Sequence, residues 1–194
     1  MSGNDNRDSK DTDRRTQKTR KALLDSLIGL VHQRRYDEFA VGDIVDEAKV
    51  GRSTFYEHYR SKDDMLVETM GDMLAVMASV ASEHATVEPL EMVLRHFQEN
   101  RKFARHCFSS SAGLPVFTRM TRELEKLIEA HLKLRQEKRG VSPSIPLALI
   151  ATQVADGQFA LIRAWLVDEQ GCTPLELATA MHASAAASIG ALVR

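Results

Sequence analysis

Cysteine is scarce: Cys107 and Cys172 are the two among 194 residues, and two cannot build a disulfide framework. Proline is scarce too. None of the five prolines precedes Pro89, so nothing forces a helix break before that point. No apolar run approaches the ~18–20 residues of a membrane-spanning helix. Met1 to Lys21 is polar with mixed charge, unlike a secretory signal. No segment alternates apolar and polar residues for long enough to form a strand. These absences predict a cytoplasmic, all-α chain that folds without disulfides.

What is present is an ordinary globular balance, 43% hydrophobic and 27% charged, over a length that can bury a core. Residues 1–13 have almost no apolar side chain and are expected as a disordered tail. Leu23, Leu24, Leu27, Ile28 and Val31 recur at three and four, the pattern of an amphipathic helix between Thr16 and Tyr36. Short helical patches follow at Val41–Ala48 and Arg52–Tyr59, separated by Lys49-Val50-Gly51. Leu66, Met70, Met73, Met77 and Val80 step four, three, four, three, one stripe on a helix of about 22 residues from Lys62. Further stripes begin near Leu90, Phe117 and Ile150, and Thr173-Pro174 signals a cap and first turn. About nine helices are expected.

The net charge is −1, which at first argues against an anionic partner. Divided along the chain it does not. Residues 14–62 carry eleven basic and seven acidic groups, while 63–194 carry thirteen basic and sixteen acidic. A basic module sits beside an acidic remainder. Within that module, two short helices and a three-residue turn have the dimensions of a helix-turn-helix. Ile44, Ala48, Val50, Phe55 and Tyr59 can form its core. Arg52 and Tyr56 lie four apart on another face. A recognition helix reads bases mainly with its N-terminal residues, and the planar fork of Arg52 suits guanine O6 and N7.

From Tyr36 to Leu66 the chain resembles the TetR family of transcriptional regulators, most specifically in Arg-Ser-Thr-Phe-Tyr-Glu-His-Tyr-Arg-Ser-Lys from Arg52 to Lys62. The resemblance implies an N-terminal three-helix DNA-binding domain over 14–62 and a helical ligand-binding and dimerisation domain over 63–194. Arg52, Ser53 and Thr54 would face bases or nearby phosphates. Tyr56, His58 and Lys62 would contact phosphates, and the basic arm of Arg14, Arg15 and Lys18 would lie along the backbone or minor groove. Three positions depart from the family. Ala40 replaces a Ser or Thr cap, and Gly51 replaces a Ser cap. Lys49 stands where glycine is usual; a left-handed lysine costs ~1–2 kcal/mol, which reaching a phosphate would offset.

The resemblance implies a homodimer reading a palindromic operator on double-stranded DNA, released by a small-molecule effector of unknown identity. Small residues in the last two helices support the dimer. Ala155, Gly157, Leu161, Ala178, Ala185 and Ile189 are the expected interface. Met73, Met77, Phe97, Phe103, Phe108, Phe117, Met120 and Trp165 are the expected lining of an apolar effector pocket. An alternative keeps the DNA-binding head and replaces the effector with thiol oxidation or a protein partner. Cys107 lies near Arg101, Lys102 and Arg105, and Cys172 lies in a loop. His84, His96 and His106 lack tight metal-ligand spacing. No cofactor is expected, and no nucleophile–base–orienter set or phosphate loop suggests an enzyme.

Overall fold

A computed structural model describes residues 5–109, 113–167 and 171–193. Among them are ten α-helices and no strand. The chain divides into two compact units, a head up to Thr69 and a body from Met70. The division falls seven residues beyond the expected 62/63 boundary.

The head contains α1 (Asp5–Gln33), a 3₁₀ turn (Tyr36–Glu38), α2 (Val41–Ala48), α3 (Arg52–His58) and α4 (Lys62–Thr69). Its core is built by Leu23, Leu27 and Leu30 from α1, Ile44 from α2, Phe55 from α3, and Met65 and Leu66 from α4. Each such buried aliphatic or aromatic side chain contributes ~1.5–3 kcal/mol. Because Met65 and Leu66 are buried, α4 belongs to the head. The start of α1 corrects the expected tail: Asp5 to Asp13 is helical, while Met1 to Asn4 lie outside the described residues. No proline or glycine interrupts 5–13, and once α1 is nucleated by its packed turns, propagation is easy.

The body contains α5 (Gly71–Ala78), a 3₁₀ turn (Ser79–Ala81), α6 (Glu88–Glu99), α7 (Arg101–Ser109), α8 (Leu114–Arg139), α9 (Leu147–Val167) and α10 (Pro174–Leu192). The long helices α8 and α9 form its principal pair, α5 packs on α8, and α10 packs on α6 and α9. The single helix expected from Lys62 is instead two, α4 and α5, interrupted at Met70. The Thr69 hydroxyl donates to Leu66 O at 2.6 Å, and Gly71 follows, two features that weaken a helix interior.

Helix ends in the body follow the sequence signals. Gly140 ends α8 in a left-handed conformation, φ 63°. Thr173 caps α10: its Oγ1 accepts from Glu176 N at 3.2 Å, and Thr173 N donates to Glu176 Oε2 at 2.7 Å. The end of α9 is capped from α7, where Arg101 donates to the carbonyls of Leu166 and Trp165 at 3.1 and 3.3 Å. A cation there also meets the negative end of the helix dipole. No helix among the described residues is long and apolar enough to cross a membrane.

Candidate nucleic-acid interface

The head presents α3 by a chain of local constraints. Ala40 has no side-chain acceptor to cap α2, and only the return half of a capping box is present, from the third helical position. Ala40 N donates to Asp43 Oδ2 at 2.8 Å, and Arg34 Nη1 donates to Asp43 Oδ1 at 2.8 Å. These bonds, the Ala40 N–H foremost, hold the Asp43 carboxyl below its ordinary range. Asp43 was not singled out from sequence, although an acid three residues after a helix start is a readable signal. The end of α2 is closed by Lys49, which adopts φ 56°, ψ 42°, the only positive φ among described non-glycine residues. The left-handed turn expected there is present. Gly51 then enters α3 from extended backbone, and Phe55 N bonds Gly51 O at 3.1 Å.

One face of α3 is anchored. Phe55 is fully buried, its ring 5.8 Å from that of Tyr59. The Tyr59 hydroxyl donates to Glu68 Oε1 at 3.0 Å, which also accepts from Arg20 Nε at 2.9 Å. Glu68 thus ties α1, α3 and α4 together. Burial, foremost, pushes the Tyr59 hydroxyl above its ordinary range. The other face is open. Arg52 and Ser53 are exposed, Tyr56 is 59% exposed, and Thr54 and His58 are half-buried. The Tyr56 ring stands edge-on to Phe55, 5.3 Å between centroids, which props it outward. Lys49 also carries an exposed side chain, as do Arg14, Arg15 and Lys18 on α1.

Lys62 departs from the expected phosphate contact. Its ammonium donates to the carbonyls of Tyr36 and Phe39, each at 2.6 Å, and lies 4.2 and 4.8 Å from their ring centroids. Burial pulls its pKa below the ordinary lysine value. Lys62 therefore pins the 3₁₀ turn to α4, directing two of its three donors inward.

In the body, the expected pocket residues separate into groups. Phe97 and Phe108 are 5.3 Å apart, and Phe108 lies 6.1 Å from Phe117. Phe159, missed in the sequence, completes the set, 5.8 Å from Phe108 and 5.2 Å from Phe117. The Arg163 guanidinium caps the Phe117 ring at 5.0 Å. Met77 and Met120 are buried, and Met73 and Phe103 half-buried. Trp165 is committed elsewhere: its indole N–H donates to Cys172 O at 2.7 Å.

The expected interface residues also divide. Ala155, Ala178, Ala185 and Ile189 are buried in the body itself; small residues there let α9 and α10 approach within one chain. Gly157 and Leu161 are exposed. They border a groove of about 380 Å³ between α9 and α10, with Gln153, Ala160, Ser184 and Ser188 along it. Cys107 is buried and Cys172 exposed. Among the described residues no His, Cys, Asp or Glu side chains gather as a metal site would require.

Residues 23–69 match the model of the bacterial regulatory proteins of the tetR family. An uncharacterized HTH-type transcriptional regulator of Bacillus subtilis, YxbF, is 29% identical over 119 residues, covering 59% of this chain. That alignment spans 29% of the length of the Bacillus protein. A TetR transcriptional regulator from Streptococcus agalactiae is 25% identical with a TM-score of 0.56, covering 91% of this chain and 98% of its own. A TetR-family repressor, FadR from Thermus thermophilus, solved with lauroyl-CoA, shares the fold at 22% identity and a TM-score of 0.59, covering 90% of this chain and 96% of its own. The family match stops at Thr69, where the head also stops, and the Streptococcus structure carries a counterpart of the body as well: the head is the helix-turn-helix DNA-binding domain of the TetR family, and the chain as a whole is similar to TetR transcriptional regulators.

Proposed function

We propose that the protein is a homodimeric, sequence-specific repressor that a small-molecule effector releases from a palindromic operator. One observation carries this reading. Arg52, Ser53 and Tyr56 on α3 remain exposed while Phe55 and Tyr59, on the same short helix and its cap, are buried behind them. A helix held so firmly from one side and left bare on the other suits insertion into the major groove. Arg52 is the base reader, Tyr56 and His58 are phosphate contacts, and the exposed basic side chains of α1 follow the backbone.

A second copy would dock on the exposed parts of α9 and α10, with Leu161 and Gly157 at the contact. A two-fold pair of heads reads two half-sites one turn apart, ~34–36 Å. The phenylalanine set with Arg163 at its edge suits an apolar ligand carrying an acidic group. The lauroyl-CoA held by the Thermus repressor is an example of that chemical class. Ligand binding would favour a state in which the heads no longer match the half-site spacing.

The test is a binding titration on a fragment containing the gene's own upstream region, at a series of salt concentrations. The expected result is a preferred sequence and a steep loss of affinity with salt, on the order of 10³-fold between 50 and 200 mM for about six phosphate contacts. Weak, salt-insensitive binding without sequence preference overturns the proposal. Sedimentation at the same concentrations reads the dimer.

A further inference from the structure

Gly42 and Arg52 come from different helices of the head and meet. Gly42 is the second residue of α2, and Arg52 is the first of α3. A Cβ placed on Gly42 would stand 2.9 Å from Nη2 of Arg52 and 3.9 Å from its Cζ. The shorter distance lies inside any carbon–nitrogen contact, so the guanidinium occupies space that another residue at 42 would fill. The neighbouring acid does not neutralise Arg52. Asp43 is already engaged by Arg34 Nη1 and the Ala40 N–H, each at 2.8 Å. The fork is placed by shape, against the bare Cα of Gly42, and its donors are left for a group outside the head.

We propose that Gly42 is a positioning residue for base readout: by lacking a side chain it sets the direction of the Arg52 guanidinium, and hence the base edge that the fork meets. This rests on the reading that α3 enters a DNA groove, and deepens it. The matching chemistry is a pair of acceptors on one base edge, as guanine offers with O6 and N7. Two parallel bonds from one fork require a fixed direction, since a tilt sacrifices one of them. An added methyl would displace only the tip of a flexible side chain, because the atoms it meets are the end of Arg52. Alanine is also the better helix former. Gly42→Ala therefore redirects the reader and leaves the head folded.

The experiment uses the full chain to select from randomised double-stranded DNA. Wild type, Gly42→Ala, Arg52→Ala and the double variant are compared by base-by-base preference, salt slope and thermal midpoint. Gly42→Ser serves as a second variant with the same Cβ. Both Gly42 variants are expected to weaken preference about 3- to 30-fold at the base positions that Arg52→Ala also affects. Other positions, the salt slope and the thermal midpoint stay unchanged or, for the midpoint, rise. The double variant should match Arg52→Ala alone, because Gly42 acts only through Arg52.

A wild-type profile in both Gly42 variants, beside a changed profile in Arg52→Ala, overturns the proposal and leaves the α3 reading intact. A uniform loss over all sequences with a changed salt slope also overturns it, by making residue 42 a phosphate-side position. An unchanged profile in Arg52→Ala removes the reader and the proposal together. A wild-type protein that selects no sequence removes the α3 reading itself.

Discussion

In the head, three of the four buried rings are tied to a charged group. Tyr36 donates its hydroxyl to Asp63 at 2.6 Å, Tyr59 donates to Glu68, and Phe39 shares the Lys62 ammonium with Tyr36. In the body, Phe97, Phe108, Phe117 and Phe159 face one another, with one guanidinium at the edge of the set. Hydrogen bonds and cation–π contacts are directional, so they select one arrangement of rings. Ring–ring contacts tolerate several geometries of similar energy. The contrast teaches that the head is specified as a single shape, which suits the proposed base reader, while the ring set of the body leaves more than one arrangement open, which suits the proposed effector site.

The largest test of this contrast is Phe55→Ala. Emptying the centre of the head should cost about 3–5 kcal/mol and abolish DNA binding. Amide hydrogen exchange should show protection lost over residues 41–59 and retained over 147–167. Simultaneous loss in both regions would make head and body one cooperative unit and break the comparison. Next comes Lys62→Met, which strips two carbonyls of their donor and should cost about 1–3 kcal/mol in denaturant unfolding. Phe108→Leu, which keeps most of the volume within the phenylalanine set, should cost less than about 1.5 kcal/mol. A larger cost for Phe108→Leu than for Lys62→Met would reverse the assignment of the rigid region.

Smaller effects sharpen the comparison at the helix caps. The body's α10 has a reciprocal Thr173–Glu176 cap, whereas α2 has only the Asp43 half of one. Ala40→Thr should supply the missing half and raise the head's stability by about 1 kcal/mol. Lys49→Gly should relieve the left-handed turn by a similar amount, with weaker DNA binding if Lys49 reaches a phosphate. The smallest effect is in acid. The carboxyls of Asp43 and Glu176 both lie below their ordinary values of 3.8 and 4.5, each held there mainly by a backbone N–H. A carboxyl whose folded pKa is depressed stabilises the fold above its unfolded value, and this is lost as pH falls through the folded value. Melting temperatures should therefore drop below about pH 4. Asp43→Asn should flatten that limb for the head, and Glu176→Gln for the body.

The helix-turn-helix was legible almost to the residue. Patches expected at 41–48 and 52–59 are found at 41–48 and 52–58, because their punctuation is local, in Lys49-Val50-Gly51. The open face of α3 follows from the same four-residue spacing of Arg52 and Tyr56. The direction of Lys62 was not legible. A lysine stem reaches either solvent or protein, and the choice here depends on carbonyls 26 and 23 residues earlier in the chain. In α9 a single stripe through Gly157 and Leu161 was expected. The buried set instead includes Ala151, Ala155, Phe159 and Ile162, because α9 packs against α7, α8 and α10 and so buries more than one stripe. That is why Phe159 escaped notice, and why alanines assigned to a second copy fill their own core. The helical start of α1 is not legible in the sequence, because a polar segment without an apolar stripe reads as disorder, although Asp5 to Asp13 contains no helix breaker.

The bond from the Trp165 indole to the Cys172 carbonyl has a spectroscopic consequence. Trp165 is the chain's only tryptophan, and its three tyrosines, Tyr36, Tyr56 and Tyr59, all lie in the head. Emission excited near the red edge of absorption thus comes from a single chromophore, at the C-terminal end of α9, while phenolic absorbance comes from the head alone. The natural sequence already carries two separate optical labels, so events in the two regions can be followed on one sample without attaching a dye.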